Sequence, residues 1–227
     1  MSAKLTWLGH SGFQLELVNK VVLIDPFLTH NPLAPMKPDE IAADFIILTH
    51  GHGDHSSDTA AIAKRTGAMV ISNFEVANWF SSQGVEKTMG LNTGGGMDFG
   101  FGRVELTIAF HSSSMPDGSY GGMPNGVILF TPGLTIYHAG DTTVFSDMQL
   151  IGQKGIDVAI LPIGDVFTMG PTDSLRAIEF IKPSYVLPAH YNTFPPIQQD
   201  AAGWARRVHT ETSAKAIILD PGGSHTF

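Results

Sequence analysis

The chain has 227 residues, a formal net charge of −8 and no cysteine. Its length suits one domain with a sizeable core, and we expect a single domain over residues 1–227. The lack of cysteine excludes disulfides, thiolate metal sites and a cysteine nucleophile. The acidic balance argues against nucleic-acid binding, which favours a basic stripe. Neither a signal-peptide pattern nor an apolar membrane span is visible, so we expect a cytoplasmic protein without a membrane partner.

Strand-like and helix-like segments follow one another along the chain. Apolar, β-branched runs predict strands at residues 5–8, 13–18, 21–25, 45–49, 104–110, 127–131, 134–138, 158–162, 185–188 and 216–219. Helical spacing predicts helices at residues 57–66, 74–83, 144–152, 172–181 and 198–210. The early strands are joined by short turns, and the later ones alternate with helices. This order indicates an α+β protein with two sheets face to face and helices outside.

The sequence His-Gly-His-Gly-Asp-His occupies residues 50–55, between a predicted strand and a predicted helix. Loops in such places tend to carry functional groups, and the two glycines permit a close turn. In an extended segment His50 and His52 point one way, while Asp54 and His55 diverge. Imidazole nitrogen and carboxylate oxygen suit zinc, manganese, iron or nickel. The run therefore predicts two ligands for one metal ion and two for a neighbouring ion.

This run resembles the signature of the metallo-β-lactamase superfamily, and further landmarks of that family stand in the same order. Asp25 ends the segment Val-Val-Leu-Ile-Asp and resembles the acidic residue that supports the metal loop from behind. The resemblance implies a four-layer αβ/βα sandwich and a dinuclear centre. In that centre one ion is held by His50, His52 and His111, the other by Asp54, His55 and His190, and Asp141 bridges the two.

Three further segments are more specific. They are Leu-Gly-His-Ser-Gly-Phe at 8–13, Phe-Thr-Met-Gly-Pro at 167–171 and Ala-His-Tyr-Asn-Thr-Phe at 189–194. They resemble the bacterial metal-dependent hydrolases related to L-ascorbate-6-phosphate lactonase. The resemblance adds His10 as a residue that lines the site.

We expect a hydrolase that uses two divalent ions, zinc first, with manganese, nickel or iron as alternatives. A hydroxide that bridges the ions would attack a small ester, lactone or phosphoester, with Asp54 orienting it and moving a proton. We expect the polar loop 112–125 to shape the substrate pocket as a lid, and the alternative is a disordered surface excursion. Tentative substrate contacts are His10, Ser112 and Asn125.

Two other functions stay open at this stage. One is a metal-dependent nuclease or phosphodiesterase, which the acidic charge disfavours. The other is a metal-binding module without catalytic turnover. As partners we expect a small-molecule substrate, which can be anionic because the ions add positive charge, and no nucleic acid. A homo-oligomer is left open.

Overall fold

The computed structural model of the protein describes residues 3–17 and 19–227, where the chain forms two seven-stranded sheets and six α-helices. The first sheet contains β1 (Lys4–Trp7), β2 (Phe13–Leu17), β3 (Lys20–Ile24), β4 (Phe45–Ile47), β5 (Met69–Asn73), β6 (Thr88–Leu91) and β14 (Ser224–Thr226). The second contains β7 (Gly96–Asp98), β8 (Arg103–Ile108), β9 (Asn125–Thr131), β10 (Leu134–His138), β11 (Val158–Pro162), β12 (Tyr185–Ala189) and β13 (Lys215–Ala216). The helices are α1 (Gly53–Ser56), α2 (Thr59–Thr66), α3 (Phe74–Ser82), α4 (Met148–Gly152), α5 (Pro171–Ile181) and α6 (Ala201–Glu211).

Both sheets are mixed. The first runs in the order β14-β1-β2-β3-β4-β5-β6, and the second in the order β13-β12-β11-β10-β9-β8-β7. Pairing is antiparallel from β14 to β3 and from β7 to β10, and parallel from β3 to β6 and from β10 to β13. Parallel strands place their carboxyl ends at one edge of a sheet. Asp25 and His50 follow β3 and β4, and Asp141 and His190 follow β10 and β12, so each sheet contributes one such edge.

The core explains why the two sheets pack face to face. On β3, Val22 and Ile24 point into the cluster shared by both sheets, whereas Leu23 points into a second cluster with α2 and α3. This alternation follows from the two-residue period of a strand. Leu175 of α5 and Trp204 of α6 cover the second sheet from outside. The layers are therefore helix, sheet, sheet and helix, as the sequence predicted.

Most predicted elements are present, with shifted ends. Strands 134–138 and 158–162 have the predicted bounds, and helix 144–152 begins later, at Met148. For the predicted strand 13–18, β2 ends at Leu17, and Val18 lies outside the described residues. Strands β5, β6, β7 and β14 were not predicted. In the part of the chain that the structure describes, no helix is long and apolar enough to cross a membrane.

Phe80 offers a test of the second core cluster. Its side chain is 1% exposed and packs among apolar residues of α2, α3 and the first sheet. We expect Phe80→Ala to lower the free energy of unfolding by about 3–5 kcal/mol, because it leaves a cavity. Phe80→Leu keeps most of the apolar volume and should cost clearly less. Urea denaturation checks both, and equal, small losses would contradict this account of the packing.

Candidate metal centre

The predicted metal loop links the first sheet to a single helical turn. His50 lies three residues beyond the end of β4, and α1 begins at Gly53. The backbone of His52 accepts hydrogen bonds from His55 N and Ser56 N at 3.0 Å, and Ser56 Oγ donates to Gly51 O at 2.8 Å. These bonds fold the loop back on itself. As a result His50 and His52 face one position, and Asp54 and His55 face a neighbouring position.

The first position is surrounded by His50, His52 and His111. One nitrogen of each ring lies within 4.8 Å of the others, and His50 Nε2 is 3.0 Å from His52 Nδ1. His111 comes from the second sheet, three residues after β8. His50 is buried, while His52 and His111 are half-buried. Three imidazole nitrogens thus converge at one point between the sheets, which is a donor set typical of zinc.

The second position is surrounded by Asp54, His55, His190 and His10. Their nearest nitrogen and oxygen atoms also lie within 4.8 Å of one another. His190 Nε2 is 4.0 Å from Asp54 Oδ2. His190 follows β12 directly and has a left-handed backbone, with φ 52°. This turn directs the ring from the second sheet towards the metal loop of the first.

Asp141 lies between these two positions. Its Oδ2 is 3.1 Å from His190 Nε2, 3.3 Å from His55 Nε2 and 3.6 Å from His111 Nε2. His111 belongs to the first position, and the other two rings belong to the second. The carboxylate is 3% exposed. One buried oxygen therefore contacts members of both sets.

The chemistry of the buried atoms fits a cation. His55 Nε2, His190 Nδ1 and Asp141 Oδ1 are buried and have no aligned hydrogen-bond partner. Buried polar atoms in proteins are almost always paired, so unpaired nitrogen and oxygen atoms at one place call for an explanation. Neutral imidazole and carboxylate are also the groups that hold divalent metal ions in proteins. These residues therefore fit a divalent metal ion.

Charge in the centre favours metal binding. Burial lowers the pKa of His50 well below its usual 6.5, so its ring is neutral, the form that coordinates a metal. Burial also opposes the charged form of His55, but Asp141 and Asp25 outweigh it and raise the pKa of His55 well above 6.5. Burial likewise works against ionised Asp141, but His190 and His55 keep its pKa well below 3.8. The pocket around His55 is thus suited to positive charge.

Asp25 lies behind the loop and is hydrogen-bonded to it. Its Oδ2 is 2.8 Å from His55 Nδ1, and its two oxygens accept hydrogen bonds from Thr49 N at 2.8 Å and Thr49 Oγ1 at 2.6 Å. Since the Thr49 hydroxyl donates to Asp25, it accepts from His50 Nδ1, 2.9 Å away. His50 Nε2 and His55 Nε2 are thereby directed into the centre. Sequence reasoning missed Thr49, although it stands between a strand and the first ligand.

The three tentative substrate contacts lie in different surroundings. Ser112 is exposed, with its hydroxyl 3.4 Å from His52 Nε2. His10 is fully buried and lies behind Asp54. Asn125 is 1% exposed, and its amide donates to Thr93 Oγ1 at 2.7 Å and Thr107 O at 2.9 Å. An enclosed amide of this kind does not face a substrate, so Asn125 is reassigned to supporting the second sheet.

The loop 112–125 is pinned to the metal loop. Ser113 Oγ accepts from Gly51 N at 3.2 Å, Ser114 pairs with Tyr120 in an isolated bridge, and Met115 is buried in the second core cluster. The alternative of a disordered excursion is therefore wrong. The loop forms one border of the centre.

Two glycines of the metal loop provide a matched pair of variants. A Cβ at Gly51 would lie 2.6 Å from Met115 Sδ and 2.9 Å from Ser114 O, whereas a Cβ at Gly53 would meet nothing within 4 Å. We expect Gly51→Ala to lower the free energy of unfolding by about 1–3 kcal/mol through overpacking, and to weaken metal binding. Gly53→Ala should stay within about 0.5 kcal/mol of the unmodified protein. Thermal unfolding and metal titration test this, and equal effects would refute the proposed contact.

Comparison with known proteins agrees with this geometry. A family model described as a beta-lactamase superfamily domain matches residues 4–190. The chain belongs to this superfamily. It is 48% identical over 219 residues to a UPF0173 metal-dependent hydrolase from Thermus thermophilus, covering 96% of each chain. It is 52% identical over 225 residues to a UPF0173 metal-dependent hydrolase from Shouchella clausii, covering 96% of this chain and 97% of the relative.

A solved structure extends the comparison to the fold. Igni18, described as a novel metallo hydrolase from the archaeon Ignicoccus hospitalis, matches with a TM-score of 0.92 and 37% identity, covering 100% of this chain and 99% of that chain. The predicted metallo-β-lactamase fold is therefore confirmed, and the protein is a metal-dependent hydrolase of this superfamily. The link to L-ascorbate-6-phosphate lactonase stays a prediction.

Proposed function

We propose that this superfamily member uses two divalent metal ions to hydrolyse a small ester, lactone or phosphoester. The observation that carries the proposal is the position of Asp141 Oδ2, within 3.1–3.6 Å of rings from both ligand sets. A carboxylate in that place is suited to bridge two ions. In this proposal the ligands are His50, His52 and His111 for one ion, Asp54, His55 and His190 for the other, and Asp141 for both.

The donor set narrows the choice of metal. All proposed ligand atoms are imidazole nitrogens and carboxylate oxygens, because the chain contains no cysteine. Such donors favour zinc and also accept manganese, nickel and iron. We propose zinc as the first choice. The supply of metal in the cell decides which of these ions occupies the site.

The chemistry of the reaction is divided between the ions and Asp54. When bound, two divalent ions lower the pKa of water and polarise the oxygen of the bond to be cleaved. Among the carboxylates of the centre, Asp54 is the accessible one, with its side chain 34% exposed against 0% for Asp25 and 3% for Asp141. Burial opposes its ionised form, but the hydrogen bond with His10 and the charges of His55 and His10 together outweigh burial and hold the pKa of Asp54 below 3.8. Asp54 is therefore ionised at neutral pH and can orient a water, accept its proton and return that proton to the leaving group.

The exposed edge of the centre is proposed as the substrate side. Ser112 stands beside His52, and Phe110, 53% exposed, immediately precedes His111. A hydroxyl and an aromatic ring at this edge can contact a small substrate on its way to the proposed ions. Ser112 thus remains a proposed substrate contact, whereas His10 takes a different role.

A substrate panel tests the proposed reaction. The protein is reconstituted with zinc, manganese or nickel and assayed with a lactone, an aryl ester, a phosphodiester, a β-lactam and a single-stranded RNA. We expect turnover of the lactone, the ester or the phosphodiester only when metal is present. Two bound ions without any turnover would replace the proposal with a metal-binding module. Cleavage confined to RNA would replace it with a nuclease.

A further inference from the structure

The side chain of His10 makes two contacts that fix its hydrogen-bonding pattern. Its Nε2 lies 3.2 Å from Asp54 Oδ2, and its Nδ1 lies 2.9 Å from Thr193 Oγ1. An ionised carboxylate only accepts hydrogen bonds, so Nε2 must carry the proton and donate it. The Nδ1 of that neutral ring is bare and accepts from the Thr193 hydroxyl. The Asp54 carboxylate therefore fixes the tautomer, and the Thr193 hydroxyl holds the ring by donating to its bare Nδ1.

The segment that supplies this hydroxyl also supplies a proposed ligand. Thr193 follows His190 by three residues, in the turn after β12. The backbone N–H of His190 donates to His10 O at 3.1 Å, and Trp7 Nε1 donates to the same oxygen at 3.0 Å. The rings of His10 and His190 are 4.1 Å apart. His10 is thus held by its backbone and its side chain, and is 0% exposed.

We propose that His10 and Thr193 are positioning residues for Asp54. They hold Asp54 Oδ2 at the second position, where it faces His55 and His190. The sequence predicted that His10 contacts the substrate. In this proposal His10 instead supports a proposed ligand from behind. This inference rests on the proposed function, because it requires Asp54 to be a ligand of the second ion.

A pair of substitutions at Thr193 tests the inference. Thr193→Val removes the hydroxyl with little change in volume, and Thr193→Ser keeps it. Binding of zinc to the full-length protein is measured by competition with a chromophoric chelator and by elemental analysis. We expect Thr193→Val to weaken the binding of one of the two ions by about 10-fold and to leave the other nearly unchanged. This is the low end of the roughly 10–100-fold effect of a ligand's direct partners, because Thr193 acts through His10. Thr193→Ser should bind both ions as the unmodified protein does.

A second readout is independent of metal. Two-bond ¹H–¹⁵N spectra of the metal-free protein report which nitrogen of His10 is protonated. We expect the Nε2-protonated form in all three proteins, because Asp54 still accepts from Nε2. In Thr193→Val the ¹⁵N signal of the bare Nδ1 should move downfield, because it no longer accepts a hydrogen bond. If Thr193 acted only through packing, the Nδ1 signal would be the same in Thr193→Val and in the unmodified protein.

The outcomes separate this inference from the proposed function. If the unmodified protein binds fewer than two ions, the proposed function fails, and the spectra still decide whether His10 donates to Asp54. If it binds two ions and Thr193→Val binds both equally well, the positioning role is refuted. Should Thr193→Val fail to fold, His10→Gln and His10→Ala replace it. Glutamine keeps an amide donor towards Asp54, so it should retain the second ion better than alanine does.

Discussion

Replacing Asp54 by alanine is expected to lower kcat by about 10²–10⁴-fold, the range that positioned acid–base groups contribute. Asp54 is the proposed proton carrier because it is ionised and the most exposed carboxylate of the centre. Steady-state kinetics on the best substrate of the panel, together with elemental analysis, measures the effect.

Two companion variants separate the roles of Asp54. Asp54→Asn keeps an oxygen donor but cannot take a proton at neutral pH, so it should lose activity even where both ions are retained. Asp39→Ala, at an exposed carboxylate on the surface, should leave kcat unchanged. Near-normal turnover in Asp54→Ala with intact metal content would refute the proton-carrying role.

Replacing Asp141 by alanine is expected to weaken the binding of both ions. Its Oδ2 contacts His111 of the first set and His55 and His190 of the second, so its loss affects both positions. The effect on affinity should exceed the roughly 10–100-fold typical of residues that only support ligands. Activity at limiting metal should fall to background. Chelator competition on the purified protein measures both affinities.

A nearby carboxylate is the control for this experiment. Asp147 lies on the same segment after β10 and is exposed. Asp147→Ala should bind both ions with unchanged affinity. If Asp141→Ala lost only one ion and held the other normally, Asp141 would be a ligand of a single ion and the bridging arrangement would be wrong.

Strand prediction succeeded where packing and local preference agree. β10 and β11 are apolar and β-branched, they lie in the core, and their bounds match the prediction. β6 was missed because it contains Gly90, a residue disfavoured in strands. The structure shows why glycine stands there, since a Cβ would lie 3.0 Å from the Cα of Phe74. Such a contact between distant segments has no signature in local sequence.

The residues of the candidate site also fall into those that local sequence predicts and those that it does not. The run at 50–55 is local and its spacing alone indicated metal ligands, while Asp141 and His190 needed the family resemblance. The support from Thr193 could not be predicted, because its contact with His10 joins residues 183 positions apart in the chain. Asn125 lay in a loop that we expected to border the pocket, but its side chain turns into the second sheet. Direction of a side chain in a long loop depends on tertiary packing.

The most direct test of the two-ion centre is a crystal structure of the zinc-reconstituted protein with an anomalous-difference map. We expect two peaks. One should lie about 2.0–2.2 Å from nitrogens of His50, His52 and His111, and the other at the same distance from Asp54, His55 and His190, with Asp141 reaching both. A single peak, or a second peak away from Asp141, would contradict it.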